Sequence, residues 1–135
     1  MNPWTFYDFL DSRGHNLIRM WLDSLPAKAA AKIDVRILYM QTIRLWPEKF
    51  ARALRGWPDL LELRVVFAGS QYRPLGFYGP YPNAFTLVYG AIEKGKLPRR
   101  VLEVADENRK IVLTDRSRIR GHEFKRGFAP ELLRQ

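Results

Sequence analysis

Residues 61–94, LELRVVFAGSQYRPLGFYGPYPNAFTLVYGAIEK, decide the fold. They hold three apolar runs. Alternation along the first puts Leu61, Leu63, Val65 and Phe67 on one face of a strand and Glu62 and Arg64 on the other, the pattern of a half-buried sheet. Ala68-Gly69-Ser70 and the longer Gly79-Pro80-Tyr81-Pro82-Asn83 separate the runs with turn-forming residues, so an antiparallel meander is predicted. Arg64, Arg73 and Lys94 fall one to each successive segment, where a twisted sheet could gather them over a surface suited to phosphate.

Towards the N-terminus, residues 4–9 are aromatic and β-prone, and Asp11-Ser12-Arg13-Gly14 is a turn signal, which predicts a first strand. Leu17, Met20, Trp21 and Leu25 then recur at helical spacing. Asn16 is placed to cap that helix and Pro26 to stop it. Pro26 also suits the first turn of a second helix, for which residues 27–46 contain no breaker and carry a wide apolar stripe through Ile33, Ile37, Met40 and Ile43. The two helices are expected to form an antiparallel hairpin. Pro47 ends it, residues 50–57 lead into the meander, and Trp57-Pro58-Asp59 reads as a turn. Beyond the meander, Lys94-Gly95-Lys96 begins a basic loop. From Pro98 a third helix is predicted through Val101, Val104, Ala105 and Val112. Residues 114–135 show little periodicity and read as a loosely ordered basic tail.

The chain carries 23 Lys+Arg against 14 Asp+Glu, a net charge of +9. Residues 1–93 hold 11 basic and 8 acidic groups, whereas residues 94–135 hold 12 and 6, so the excess leans towards the C-terminal end. Polyanions are the natural partners of such a surface, although a purely solubilising charge would look the same. At 135 residues with 47% hydrophobic composition, one domain with a real core is expected and a disordered chain is excluded. No apolar run approaches the roughly 20 residues that span a bilayer, and no basic segment precedes an apolar block at the N-terminus. A cytoplasmic protein without a membrane partner is expected. With no cysteine there is no disulfide framework and no thiolate metal site. Gly-rich phosphate loops and metal-spaced His/Asp/Glu clusters are absent from the sequence, so no cofactor is expected.

Several blocks taken in order resemble the RelE/HigB toxin superfamily, in particular its phage-derived Gp49-like branch. They are Trp4-Thr5-Phe6-Tyr7, the segment from Trp21 to Pro26, Leu54-Arg55-Gly56, Leu61-Glu62-Leu63-Arg64, Tyr72-Arg73, Ala91-Ile92-Glu93-Lys94, Pro98 and the stretch from Ala105 to Arg109. The resemblance implies a RelE-like α+β fold: an antiparallel sheet of about four strands with an N-terminal helical hairpin and a C-terminal helix. That toxin domain would occupy residues 1–113 and the tail residues 114–135. It further implies a type II toxin that enters the ribosome, cuts mRNA without a metal, and is silenced by a cognate antitoxin, expected to carry a helix-turn-helix. Two positions depart from the family pattern. Glu93-Lys94 stands where many relatives have two lysines, and Leu60 and Glu62 stand where some carry acid-base lysines.

Metal-free RNA cleavage needs a base for the 2′-OH, an acid for the leaving 5′-oxygen, and positive charge on the transition state. Arg73 is the candidate for the charge, because its forked guanidinium matches two phosphate oxygens; the alternative is a strand arginine paired with Glu62. Lys94 and His122 are the catalytic candidates beside it, His122 because imidazole titrates near neutrality. His15 reads as structural. Arg64, Lys96, Arg99, Arg118 and Arg120 would grip the RNA, and Tyr78 would stack on a splayed base, unless it is packing. Two other classes stay open: a toxin of the same fold that inhibits a protein such as DNA gyrase, and a catalytically silent RNA-binding module of phage origin.

Overall fold

The computed structural model describes residues 2–124. The chain runs β1 (Thr5–Phe9), α1 (Leu17–Ser24), α2 (Ala27–Gln41), β2 (Ala51–Leu54), β3 (Trp57–Leu63), β4 (Val65–Phe67), β5 (Ser70–Tyr78), β6 (Ala84–Ile92), α3 (Arg99–Thr114), a 3₁₀ turn (Arg116–Arg118) and β7 (Ile119–Gly121). The fold is α+β, as expected, but the sheet exceeds the expected four strands. Among the described residues it has seven, in the order β2-β3-β5-β6-β1-β7, with β4 paired to β5. Nor is it purely antiparallel, since β1 lies parallel to β6 with Thr5 opposite Ala84.

The meander accounts for the centre. Strand β5 pairs antiparallel with β6, Arg73 opposite Ala91, and with β3, Glu62 opposite Leu75. Trp57-Pro58-Asp59 is corrected from a turn to the first residues of β3; the turn is Arg55-Gly56, with Gly56 at φ +83°. Proline is tolerated there because it stands at the beginning of the strand, beside a register shift between Ala53 and Leu54.

Each face of the sheet buries its own cluster. Phe6, Ile18, Leu22, Ile33, Ile37, Met40, Leu63, Val65, Tyr72, Phe85 and Leu87 close one side beneath α1 and α2. Leu60, Leu75, Phe77, Val88, Ala91, Leu102, Ala105 and Val112 close the other beneath α3. Helix α1 begins where expected, with the Asn16 side chain accepting the Arg19 N–H at 2.8 Å. It lies close on β6 because Gly90 has no side chain: a methyl there would overlap the Trp21 indole. Helix α2 stops at Gln41 rather than Trp46. The chain then folds back, so that the Trp46 indole donates to the Met40 carbonyl at 2.8 Å and packs against the core.

Within the expected loose tail, Thr114 ends α3 and residues 118–122 bond along β1 and Leu10; residues 125–135 lie outside the described residues. Strand β7 pairs with β1, and the next residue, His122, is buried between two carboxylates. Its Nδ1 lies 2.8 Å from Asp8 of β1 and its Nε2 lies 2.9 Å from Asp34 of α2. With a carboxylate at each ring nitrogen, the pocket favours the charged ring, which carries a proton to donate on both sides. Asn16 donates to the other Asp8 oxygen at 2.9 Å, and Arg19 stands 3.8 Å from Asp34. Burial alone would lower the His122 pKa, but the hydrogen bonds to Asp34 and Asp8 and their charges outweigh it and raise the pKa from 6.5 to about 9. A raised folded-state pKa stabilises fully below the unfolded value near 6.5, and the contribution is lost as pH rises through about 9. Thermal melts from pH 6 to 10 should therefore show wild type losing on the order of 3 kcal/mol relative to a His122→Gln variant as this window is crossed. A constant difference between the two proteins would contradict the clasp.

Candidate nucleic-acid interface

Three strands present their side chains to the same end of the α3-side face. Arg52 of β2 stands opposite Glu62 of β3, Glu62 stands opposite Leu75 of β5, and Arg73 lies two residues before Leu75. Directly opposed residues share a face, as do residues two apart on one strand, so Arg52, Glu62 and Arg73 form a row. Arg64 follows Glu62 by two residues at the break between β3 and β4.

Glu62 is the centre of that row. Its side chain is 3% exposed, and one oxygen accepts from Arg73 Nε while the other accepts from an Arg64 nitrogen at 3.0 Å. Arg73, 5% exposed, turns Nη1 to the backbone carbonyls of Gly95 and Glu93. The guanidinium therefore ties the loop after β6 to the sheet and is not presented to an external phosphate. This corrects the expectation of Arg73 as the transition-state cation in favour of the pairing with Glu62.

The accessible charge lies around this network. An open cleft of about 210 Å³ is lined by Glu48, Lys49, Phe50, Arg52, Glu62 and Arg64. Arg64 is 38% exposed, and Arg52 reaches solvent while standing 3.3 Å from Glu48. Phe50 forms an apolar patch of wall, with the Arg36 guanidinium 4.6 Å from its ring centroid and the Lys49 amine 5.4 Å away. Arg36 also donates to the Arg64 carbonyl at 3.1 Å, which connects α2 to the rim. Lys94 and Lys96, both exposed, flank the Gly95 carbonyl that Arg73 holds.

The other predicted residues do not join the group. Arg99 is exposed at the start of α3, 3.8 Å from Glu103 and over the Trp57 ring at 6.0 Å. Arg118 and Arg120 lie at the opposite edge of the sheet, in and beside β7, and Arg118 donates to the Leu10 carbonyl at 3.0 Å. Tyr78 lies at the far end of β5 from Arg73, and on the other face, packed with Phe85, Trp46 and Trp4. His122 is enclosed in its carboxylate pair, so the expectation that it meets substrate is corrected as well. His15 is a turn residue, its amide bonded to Asp11 at 2.9 Å.

Lys49, Phe50 and Arg52 were not anticipated from the sequence. The signal available was the pair of cations Lys49 and Arg52 around Phe50 and Ala51, two residues after Pro47, readable only if a strand is assumed to begin there. Among the described residues, no group of three or more His, Asp or Glu side chains is placed to hold a metal ion.

Fold and site together define a small, basic α+β protein with a cationic cleft at one end of its sheet. The chain belongs to the phage-derived Gp49-like protein family (DUF891), whose family model matches residues 20–110. Searches among curated proteins and among solved structures return no significant match. The matched segment contains the cleft and the whole Glu62 network, and leaves out β1, β7 and His122.

A buried charge deprived of its partner is costly, by about 3–5 kcal/mol, whereas replacing both partners with apolar groups is close to neutral. Arg73→Ala should therefore lower the unfolding free energy by about that amount in urea denaturation. The double variant Glu62→Leu/Arg73→Met should recover most of the loss. An Arg73→Ala protein as stable as wild type would refute the network.

Proposed function

We propose that this protein is the toxin of a type II toxin-antitoxin pair and that its target is RNA on the translating ribosome, gripped at the cleft between Lys49, Arg52 and Arg64. The observation that carries the reading is the placement of three solvent-reached cations around a buried, fully paired carboxylate, next to a basic loop. Phosphates bind to accessible cations, and the cleft offers them on a rigid sheet with Phe50 as an apolar neighbour for a base. Membership of the Gp49-like family supports the toxin assignment, and the net charge of +9 supports the choice of a polyanion.

In this reading Arg73 is a positioning residue. Its bond to the Gly95 carbonyl sets the loop that carries Lys94 and Lys96, and Lys94 is the exposed amine assigned to the reacting phosphate of an mRNA endonuclease. A second reading, a toxin that blocks its target without cutting RNA, is favoured by one specific observation. Neither histidine reaches the cleft: His122 is buried and His15 lies in the β1–α1 turn.

Lys49→Ala/Arg52→Ala removes two exposed cations without touching Glu62 or Arg73, and surface ion pairs such as Arg52–Glu48 contribute at most about 1 kcal/mol. The double variant should fold, should no longer arrest growth at equal expression, and should bind single-stranded RNA with a salt slope shallower by about 1.4, at about 0.7 per phosphate contact. Unchanged toxicity would remove the cleft from the mechanism. Primer extension on mRNA from arrested cells separates the two readings, since new 5′ ends arise only if RNA is cut.

A further inference from the structure

The α2 side of the cationic cleft carries an exposed aromatic ring that has no role in the function proposed above. Tyr39, in the last turn of α2, is 48% exposed. Its ring stands edge-to-face with that of Phe50, the centroids 5.7 Å apart and the planes at 85°. Phe50 lines the cleft, so the two rings make a right-angled corner at its wall. Helix stability does not call for a tyrosine here, since aromatic side chains lose rotamer freedom in a helix and rank below Leu, Lys or Glu in helix propensity. Arg36 braces the corner: its guanidinium lies 4.6 Å from the Phe50 centroid, and its Nη1 donates to the Arg64 carbonyl at 3.1 Å. The charges around the rings are Arg36, Lys49, Arg52 and Arg64 against two carboxylates, Glu62, which is buried and paired, and Glu48, which is exposed and 3.3 Å from Arg52. Asp34, the only acid of α2, is 2% exposed, so the helix adds no accessible carboxylate.

Resting on the RNA reading of the cleft, we infer that Tyr39 and Phe50 form a pocket for one unstacked base of single-stranded RNA, whose flanking phosphates lie on Lys49, Arg52 and Arg64. A flat base laid on one ring meets the other ring along its edge, and the stacking is tolerant of sequence because every base has such a face. In a duplex the bases are stacked on one another and offer no free face, so the pocket selects a single strand. Arg36 is a positioning residue in this arrangement: it holds the Phe50 ring and the Arg64 backbone at a fixed spacing, which sets where a phosphate falls relative to the base. A protein partner fits the corner less well, because the core of a protein interface is depleted of charge, whereas four cations surround these rings. The stacking role expected of Tyr78 falls to Tyr39 instead.

Fluorescence anisotropy with three labelled probes tests this: an oligouridylate of about ten nucleotides, an RNA duplex of about ten base pairs, and an oligoglutamate of about ten residues. Each is titrated with the full chain as wild type, Tyr39→Phe, Tyr39→Leu and Lys49→Ala/Arg52→Ala. Tyr39→Phe should hold the oligouridylate as wild type does. Tyr39→Leu, which keeps an apolar side chain on a better helix former, should hold it about tenfold more weakly with an unchanged salt slope, because a stacking contact releases no counterions. Duplex binding should be equal in wild type and both Tyr39 variants. In wild type, the Tyr39 ring-proton NMR signals, assigned as those missing from Tyr39→Phe, should shift with the oligouridylate and not with the duplex, a readout independent of how the leucine variant folds. Wild-type affinity in Tyr39→Leu, or a Tyr39 ring unmoved by the oligouridylate, would overturn the pocket, while a loss in Lys49→Ala/Arg52→Ala would still uphold the cleft. Equal weakening towards oligouridylate and duplex would overturn it too, and a Tyr39 shift with oligoglutamate as large as with RNA would make the corner a protein-docking surface. Wild-type affinity in Lys49→Ala/Arg52→Ala is the separate failure of the cleft reading, and it removes the phosphates from the pocket as well.

Discussion

A carboxylate sealed into the sheet with a guanidinium on each oxygen is the constraint on which the cleft depends. Glu62 is 3% exposed with a guanidinium on each oxygen, and with both bonds made Arg64 and Arg73 have little freedom. Arg64 is held at the rim with part of its guanidinium in solvent. Arg73 is drawn inwards, where its Nη1 takes the carbonyls of the loop after β6. One buried charge thus orders three strands and a loop, and decides which arginine can meet a ligand.

The other face of the sheet uses the same device for another end. There the buried cation is His122, and its two carboxylates come from β1 and α2. Glu62 joins neighbouring strands, whereas His122 joins the last strand to the first strand and the second helix, across 114 and 88 residues of chain. The two clusters divide the work: one shapes the rim of the cleft, and the other closes the sheet beyond β1. The family model matches all of the first and, of the second, Asp34 alone.

This division also explains what could be read from the sequence. Local signals were sufficient for the helices, since Asn16, Pro26 and Pro98 mark their beginnings chemically, and for the meander, whose strands are joined by Gly- and Pro-rich turns. The strands that escaped notice, β2 and β7, are four and three residues long, too short for alternation to register, and exist because a longer neighbour lends them hydrogen bonds. The parallel pairing of β1 with β6 has no local signature at all. Likewise, Glu62 and Arg73 are visible as charges on a sheet, and only the register of β3 against β5 tells whether they face each other. Asp8 and Asp34 could have drawn attention as carboxylates among apolar neighbours, but nothing nearby in the sequence points to His122.

The same reasoning limits what net charge can say about binding. Of the basic residues behind the +9, several are committed inside the molecule: Arg73 to Glu62, Arg109 to Asp106 at 2.9 Å, and Arg64 in part, since it pairs with Glu62 while staying 38% exposed. Others spend donors on backbone carbonyls, as Lys32 does on Val66 at 2.6 Å, Arg36 on Arg64 and Arg118 on Leu10. A polyanion would meet the remainder, and among those Lys49 and Arg52 lie beside the Glu62 network together with Lys94 and Lys96, the first two cations of the C-terminal segment, while the rest of that segment's charge lies elsewhere. Folding therefore redistributes the cationic surface. Where a polyanion binds depends on which arginines the core leaves free, which is a property of strand register and not of composition.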